Sequence, residues 1–232
     1  IFNLVKTWPI GAMTYGAGGI GTASIATLSQ DLRNKLTPSE TANTDYVLVD
    51  AAYTIEEVAE KAKRFFMERY QEAYQTPIPN YFLGYRICGY SSQSSLPEAW
   101  EVRIVGDQPH GPDRLYGDDD YGPRWAGENE ALDRLILGID SRTTESLLQM
   151  GVEQQNVQTI VTGLIQRLIT PLSLPAMPIQ DAIDLAFFLV DVTAKFAHFS
   201  LRPVPLVAPL RCSGPAASSP LNTWARSARA SG

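Results

Sequence analysis

The chain has 232 residues, 44% of them hydrophobic and 19% charged, with a net charge of −6. That is enough apolar material for a sizeable core, and an acidic balance with no Lys/Arg-rich run argues against a nucleic-acid partner. Only two cysteines (Cys88, Cys212) and two histidines (His110, His198) are present, which excludes a disulfide framework and argues against a histidine-rich metal site.

Residues Ile1 to Lys6 and Ile10 to Tyr15 read as short strands joined by a turn at Trp8-Pro9. A glycine cluster follows, Gly16-Ala17-Gly18-Gly19-Ile20-Gly21. Thr22 to Leu36 reads as a helix, with Ile25, Leu28 and Leu32 at helical spacing and Pro38 marking its end. Thr41 to Asp50 turns from polar to apolar. Thr54-Ile-Glu-Glu57 has the form of a capping box and opens a helix to about Tyr74, its buried side expected at Val58, Phe65, Phe66 and Tyr70. Tyr81 to Gln93 and Ala99 to Val105 read as an antiparallel hairpin. Asp107 to Pro123 reads as loop. Helices are expected at Glu128–Ile139, Thr144–Met150, Gln154–Ile169 and Gln180–Phe199, the last with Ile183, Phe187, Val190 and Ala194 on one face. Prolines 171, 175 and 178 punctuate the connection before it. No stretch is apolar for long enough to span a bilayer, and no signal peptide opens the chain. Reduced thiols and a cytoplasmic location are expected. The first residue is isoleucine, so the sequence reads as a processed product or a piece of a longer chain.

The glycine cluster fits G-x-G-x-x-G, a turn that lets backbone approach a pyrophosphate at a helix N-terminus. Asp50 ends an apolar run, as a ribose-binding acid would. Such an acid belongs about 20 residues past the glycines, and Asp50 lies well beyond that. A long helix and an antiparallel hairpin follow, where a dinucleotide fold needs a further parallel repeat. Dinucleotide binding through Gly16–Gly21 therefore stands as an alternative.

Other candidates have plainer readings. The run Gly117-Asp118-Asp119-Asp120 lacks the alternating ligand spacing of a calcium loop and reads as solvated loop. His198 near a helix end and His110 between Pro109 and Gly111 read as structural or loop residues. Cys88 reads as a small core residue. No G-x-S-x-G elbow occurs.

The order of elements, with several short motifs, resembles the proteasome-type N-terminal nucleophile (Ntn) hydrolases, in particular the bacterial proteasome β-subunit, over Ile1 to about Ser200. Ile1-Phe2-Asn3-Leu4 resembles the strand that follows the family's active-site lysine, and Ala12 to Gly18 the next strand and its turn. Glu56 to Tyr74 is similar to the second helix and Phe82 to Tyr90 to the sheet strand after it. Trp125-Ala126-Gly127 resembles the later glycine turn, and Gln180 to Leu185 the opening of the last long helix.

The resemblance implies an α+β fold: a four-layer αββα sandwich of two antiparallel sheets between helical layers, here lacking its N-terminal hairpin. It implies one domain over 1–201 and an irregular tail over 202–232. It implies a threonine-type peptidase subunit, or a catalytically incomplete or purely structural relative, that hydrolyses peptide or unfolded protein in a homo-oligomeric ring, with no cofactor, metal, nucleic acid or membrane. In such a site an N-terminal threonine attacks, its own amine acts as base, and a backbone N–H stabilises the oxyanion. Ile1 cannot serve as the nucleophile, which is expected upstream of it. The oxyanion and substrate turn falls at Gly16, Ala17 and Gly18, with Ala17 nearest the family's donor. A second turn near the site falls at Gly127 and Asn129, where the family's usual serine has no counterpart.

The tail departs from the family. After Asp191 there is no acidic residue, and Cys212 to Gly232 is mostly Ala, Ser, Pro, Gly and Arg. Codons exist for Val204 to Cys212 that, read two bases later, encode Thr-Val-Gly-Gly-Pro-Ile-Glu-Val, a plausible final strand of the family. The hypothesis is that the chain is frameshifted from roughly Arg202. Sequencing the coding DNA tests it, and a different peptide in that frame rules it out.

Overall fold

In Ile10 to Tyr90 the strands bury every second residue and the helices every third or fourth, and the two patterns face each other. The computed structural model describes residues 1–37, 45–117, 120–172 and 177–200. These residues gather into two compact units, 1–117 and 120–200. The domain read as 1–201 spans both. Pro38, Thr41, Asp118, Asp119, Pro175, Cys212 and the tail from 202 lie outside the described residues.

The first unit is built on a five-stranded antiparallel sheet. Its strands are β1 (Phe2–Asn3), β2 (Ile10–Gly16), β5 (Phe82–Tyr90), β6 (Pro97–Val105) and β7 (Gln108–Arg114), side by side in that order. A two-stranded ladder, β3 (Gly19–Ile20) with β4 (Ala23–Ser24), lies between β2 and α1 (Ile25–Leu36). β5 and β6 pair from Phe82 opposite Val105 to Tyr90 opposite Pro97, so the expected hairpin forms.

On one face of the sheet Ile10, Ala12, Leu83, Tyr85, Ile87, Val102 and Ile104 are buried. They share one core with Leu28, Leu32 and Leu36 of α1 and with Val58, Ala62, Phe65, Phe66 and Tyr70 of α2 (Ile55–Ala73). Each fully buried Leu, Ile or Phe contributes about 1.5–3 kcal/mol of transfer free energy. The Thr54 hydroxyl caps α2 by accepting the Glu57 N–H at 3.0 Å, as the capping box requires. Tyr74 adopts an extended backbone and ends the helix, three residues before Pro77.

The loop expected over Asp107–Pro123 is corrected in part, because Gln108–Arg114 is the edge strand β7. Pro109 and Pro112 hide this from sequence. An edge strand tolerates proline because only one side of it must donate to the ladder.

The second unit is helical. Its elements are α3 (Glu130–Leu132) running into a π-turn at Asp133–Leu137, α4 (Arg142–Gln149), α5 (Gln154–Leu168) and α6 (Ile179–Phe199). Gly138, at φ +77°, ends the π-turn. A small core joins Leu132, Ile136 and Leu189 with Trp125, Leu185 and Val192. The expected apolar face of α6 is therefore corrected. Ala182, Leu185, Leu189 and Val192 face inward, while Phe187 and Val190 are exposed. α6 carries Asp181, Asp184, Asp191 and Lys195 on one side and is apolar over the rest, an arc wider than the face it buries, so periodicity alone could not place that face within it. No described helix is long and apolar enough to cross a membrane.

Candidate functional site

β2 ends at Gly16 in a backbone that only glycine adopts easily, at φ +86°. A Cβ there would stand 2.4 Å from the Phe82 carbonyl oxygen. The close approach lets the Ala17 N–H donate to that same oxygen at 2.7 Å. The Gly18 carbonyl accepts from the Ile25 N–H at 2.9 Å, tying the turn to the first residue of α1. The Gly18 N–H has no hydrogen-bond partner among the described residues, and Gly18 is exposed. Of the three candidates, Ala17 thus has its donor occupied and Gly18 has one to offer. β1 is paired only with Gly11 and Ala12 of β2, so residues 14–16 have no described strand beside them on that edge.

Three tyrosines brace this turn. The Tyr74 hydroxyl accepts the Gly21 N–H at 2.8 Å, and Tyr81 donates its hydroxyl to the Gly19 carbonyl at 3.1 Å. Tyr70 packs against both at a tilt, with ring centroids 5.0 Å from Tyr74 and 4.9 Å from Tyr81. Burial among these rings pushes the Tyr81 hydroxyl pKa well above the usual tyrosine value.

The phosphate-cradle alternative loses its geometry here. The amide of Gly21 is taken by Tyr74, and the helix begins only at Ile25, with a β-ladder between and Ser24 as its N-cap. β2 runs antiparallel to both neighbours, whereas the dinucleotide fold needs a parallel βαβ unit. Asp50 sits in an exposed turn after Val49.

The second predicted turn belongs to the other unit. Gly127 has φ +93° and is exposed, and Asn129 precedes α3, its carbonyl accepting the Asp133 N–H at 2.8 Å. Trp125 donates to the Asp133 carboxylate at 2.8 Å, while burial raises that carboxyl's pKa. Cys88 lies on β5 with its sulfur 3.7 Å from the Gly11 carbonyl. Burial pushes its thiol pKa up, away from nucleophilic reactivity. His110 is exposed on β7 and His198 exposed at the end of α6.

Sequence reasoning missed a charged network on the face of the sheet opposite α1 and α2. Tyr15 donates to Glu101 Oε1 at 2.8 Å, and Arg86 Nε donates to the same oxygen at 2.6 Å. Arg103 reaches Glu101 at 3.7 Å and Asp113 at 2.7 Å. The Tyr15 ring lies over Gly84, where a Cβ would meet its carbons at 2.2–2.7 Å, and so reaches across β5 to β6. The available signal was alternation: Glu101 and Arg103 interleave with Trp100, Val102 and Ile104.

Burial, then the hydrogen bond to Glu101, pushes the Tyr15 hydroxyl up to about 12. Tyr85, buried against Ser29, is raised too, as are Tyr81 and the Cys88 thiol. These groups hold their protons more tightly folded than unfolded. Their contribution is therefore complete below the unfolded values, about 8.5 for cysteine and about 10 for tyrosine, and is lost as pH rises past them. Urea midpoints are expected to fall steadily above about pH 9, less steeply in Tyr15→Phe. A midpoint constant to about pH 11 would contradict this assignment.

No family model, curated protein or solved structure matches this chain.

Proposed function

We propose that the chain is a subunit of a proteasome-type Ntn hydrolase, a threonine-type peptidase or a catalytically incomplete relative of one. The observation that carries this reading is the antiparallel order β1-β2-β5-β6-β7 beneath two helices, with a glycine turn where β2 gives way to the first of them. On this reading the sheet is one of the two in a four-layer αββα sandwich, and the subunits form a cytoplasmic homo-oligomeric ring. A peptide or unfolded protein segment lies extended along the open edge of β2 beside residues 14–16, by strand addition. Its scissile carbonyl oxygen meets the Gly18 N–H. Gly18, one residue beyond the position first expected, is the donor because the Ala17 N–H is held by Phe82. One such donor accounts for roughly 100- to 1,000-fold in turnover. The nucleophilic threonine, whose own amine is the base, is expected on chain preceding Ile1.

The second reading, a non-catalytic subunit of the same fold, is favoured by that occupied Ala17 donor and by the lack of a serine over Gly127–Asn129. One experiment separates the two: N-terminal sequencing of the native protein together with labelling by a peptide epoxyketone. A terminal Thr carrying the adduct is the expected result. A terminus other than Thr, Ser or Cys with no adduct ends the peptidase reading and leaves the structural one.

A further inference from the structure

A cleft of about 510 Å³ opens beside α1 and is lined by Lys6, Gln30, Arg33, Asn34 and Thr37. No carboxylate lines it among the described residues, although the chain as a whole carries 25 acidic against 19 basic residues. The two cations differ from most others in the first unit. Lys61, Lys63, Arg69, Arg86 and Arg103 pair with carboxylates, and Lys35 lies over the Tyr46 ring at 5.0 Å. Lys6 and Arg33 have neither kind of partner among the described residues.

The polar neighbours reinforce this sign. Gln30 spends its amide N–H on the Asn34 carbonyl oxygen at 3.2 Å, which leaves the Asn34 NH₂ group as a donor. Thr37 donates its hydroxyl back to the Arg33 carbonyl at 2.8 Å, fixing the last turn of the helix. A basic residue there complements the C-terminal end of the helix dipole. That accounts for Arg33 but not for Lys6, which lies in the turn between β1 and β2 and converges on the same cleft. Two like charges lining one cleft repel, an anion between them offsets that repulsion, and the guanidinium fork suits a bidentate oxyanion.

We propose that this cleft binds the phosphate or carboxylate group of a small organic anion, with Lys6 and Arg33 as its charged contacts and Asn34 as a neutral donor. Its volume falls in the range of small-molecule sites, about 300–1,000 Å³, and exceeds what a bare inorganic ion fills. The cleft shares no residue with the Gly16–Gly18 turn, so the proposal stands apart from the peptidase reading.

The test is calorimetric titration of the full chain with phenyl phosphate, benzoate and inorganic phosphate at low salt, beside Lys6→Gln and Arg33→Gln. Both substitutions are at the surface, and circular dichroism confirms that the variants keep their fold. Saturable binding of phenyl phosphate or benzoate is expected, weakened roughly tenfold or more in each variant, as loss of a charge-assisted hydrogen bond implies. Whichever of the two binds identifies the group, and inorganic phosphate is expected to bind more weakly than phenyl phosphate. Unsaturable heats, or equal affinity in wild type and both variants, would overturn the site.

Discussion

Gly16→Val is expected to lower the stability of the chain by roughly 2–5 kcal/mol, from a left-handed backbone cost of about 1–2 and an overpacking cost of about 1–3. The residue sits at φ +86°, and its new Cβ would stand 2.4 Å from the Phe82 carbonyl oxygen and 2.9 Å from the Phe82 ring. The carbonyl is backbone of the adjacent strand, already bonded to Ala17, and cannot yield without breaking the end of the β2–β5 ladder. Urea denaturation measures the loss. Gly18→Ala is the matched control, since a Cβ there meets nothing within 4 Å, and it is expected to stay within about 0.5 kcal/mol of wild type. Equal midpoints for Gly16→Val and wild type would show that the strand end is not held as described.

Phe66→Ala is expected to cost about 3–5 kcal/mol, the range for emptying a buried aromatic site. Phe66 is 1% exposed and stands where the inner face of α2 meets the sheet, with ring centroids 4.6 Å from Tyr85 and 5.4 Å from Phe65. Both neighbours are themselves buried, so the cavity has little freedom to collapse. Against a typical domain stability of about 5–15 kcal/mol, such a loss is large. Phe188→Ala in α6 is the control, at 47% exposure. Thermal melts should separate them clearly. A Phe66→Ala melt that overlays the Phe188→Ala melt would place Phe66 outside the core.

These two sites differ in how legible they were. Phe66 announces itself: with Val58, Phe65 and Tyr70 it forms a helical stripe opened by a capping box, and all four are buried. The hairpin of β5 and β6 was equally plain, because two strand-like runs flank a short serine-rich turn, although the second strand begins at Pro97, two residues before the expected Ala99. α6 was not, because its apolar arc, everything away from the Asp181–Asp184–Asp191–Lys195 side, is wider than the face it buries. β7 was not, because its prolines read as loop until an edge position makes them tolerable. At the glycine turn the resemblance put the nearest donor at Ala17, and nothing local in the sequence shows that this N–H is paired with Phe82.

From local chemistry alone the chain dictates where it turns, which helix is capped, and which faces of β5, β6 and α2 are apolar, since these depend on residues within a few positions of each other. The tertiary structure decided what those positions can do. The Phe82 carbonyl is 65 residues from Ala17 in the chain yet 2.7 Å from its nitrogen, and that one contact moves the available donor to Gly18. In the same way Tyr15, Arg86 and Glu101 become one network only once β2, β5 and β6 lie side by side. A hydrogen bond acts over about 3 Å, and pairings at that distance between remote residues are set by strand register, which no local pattern encodes.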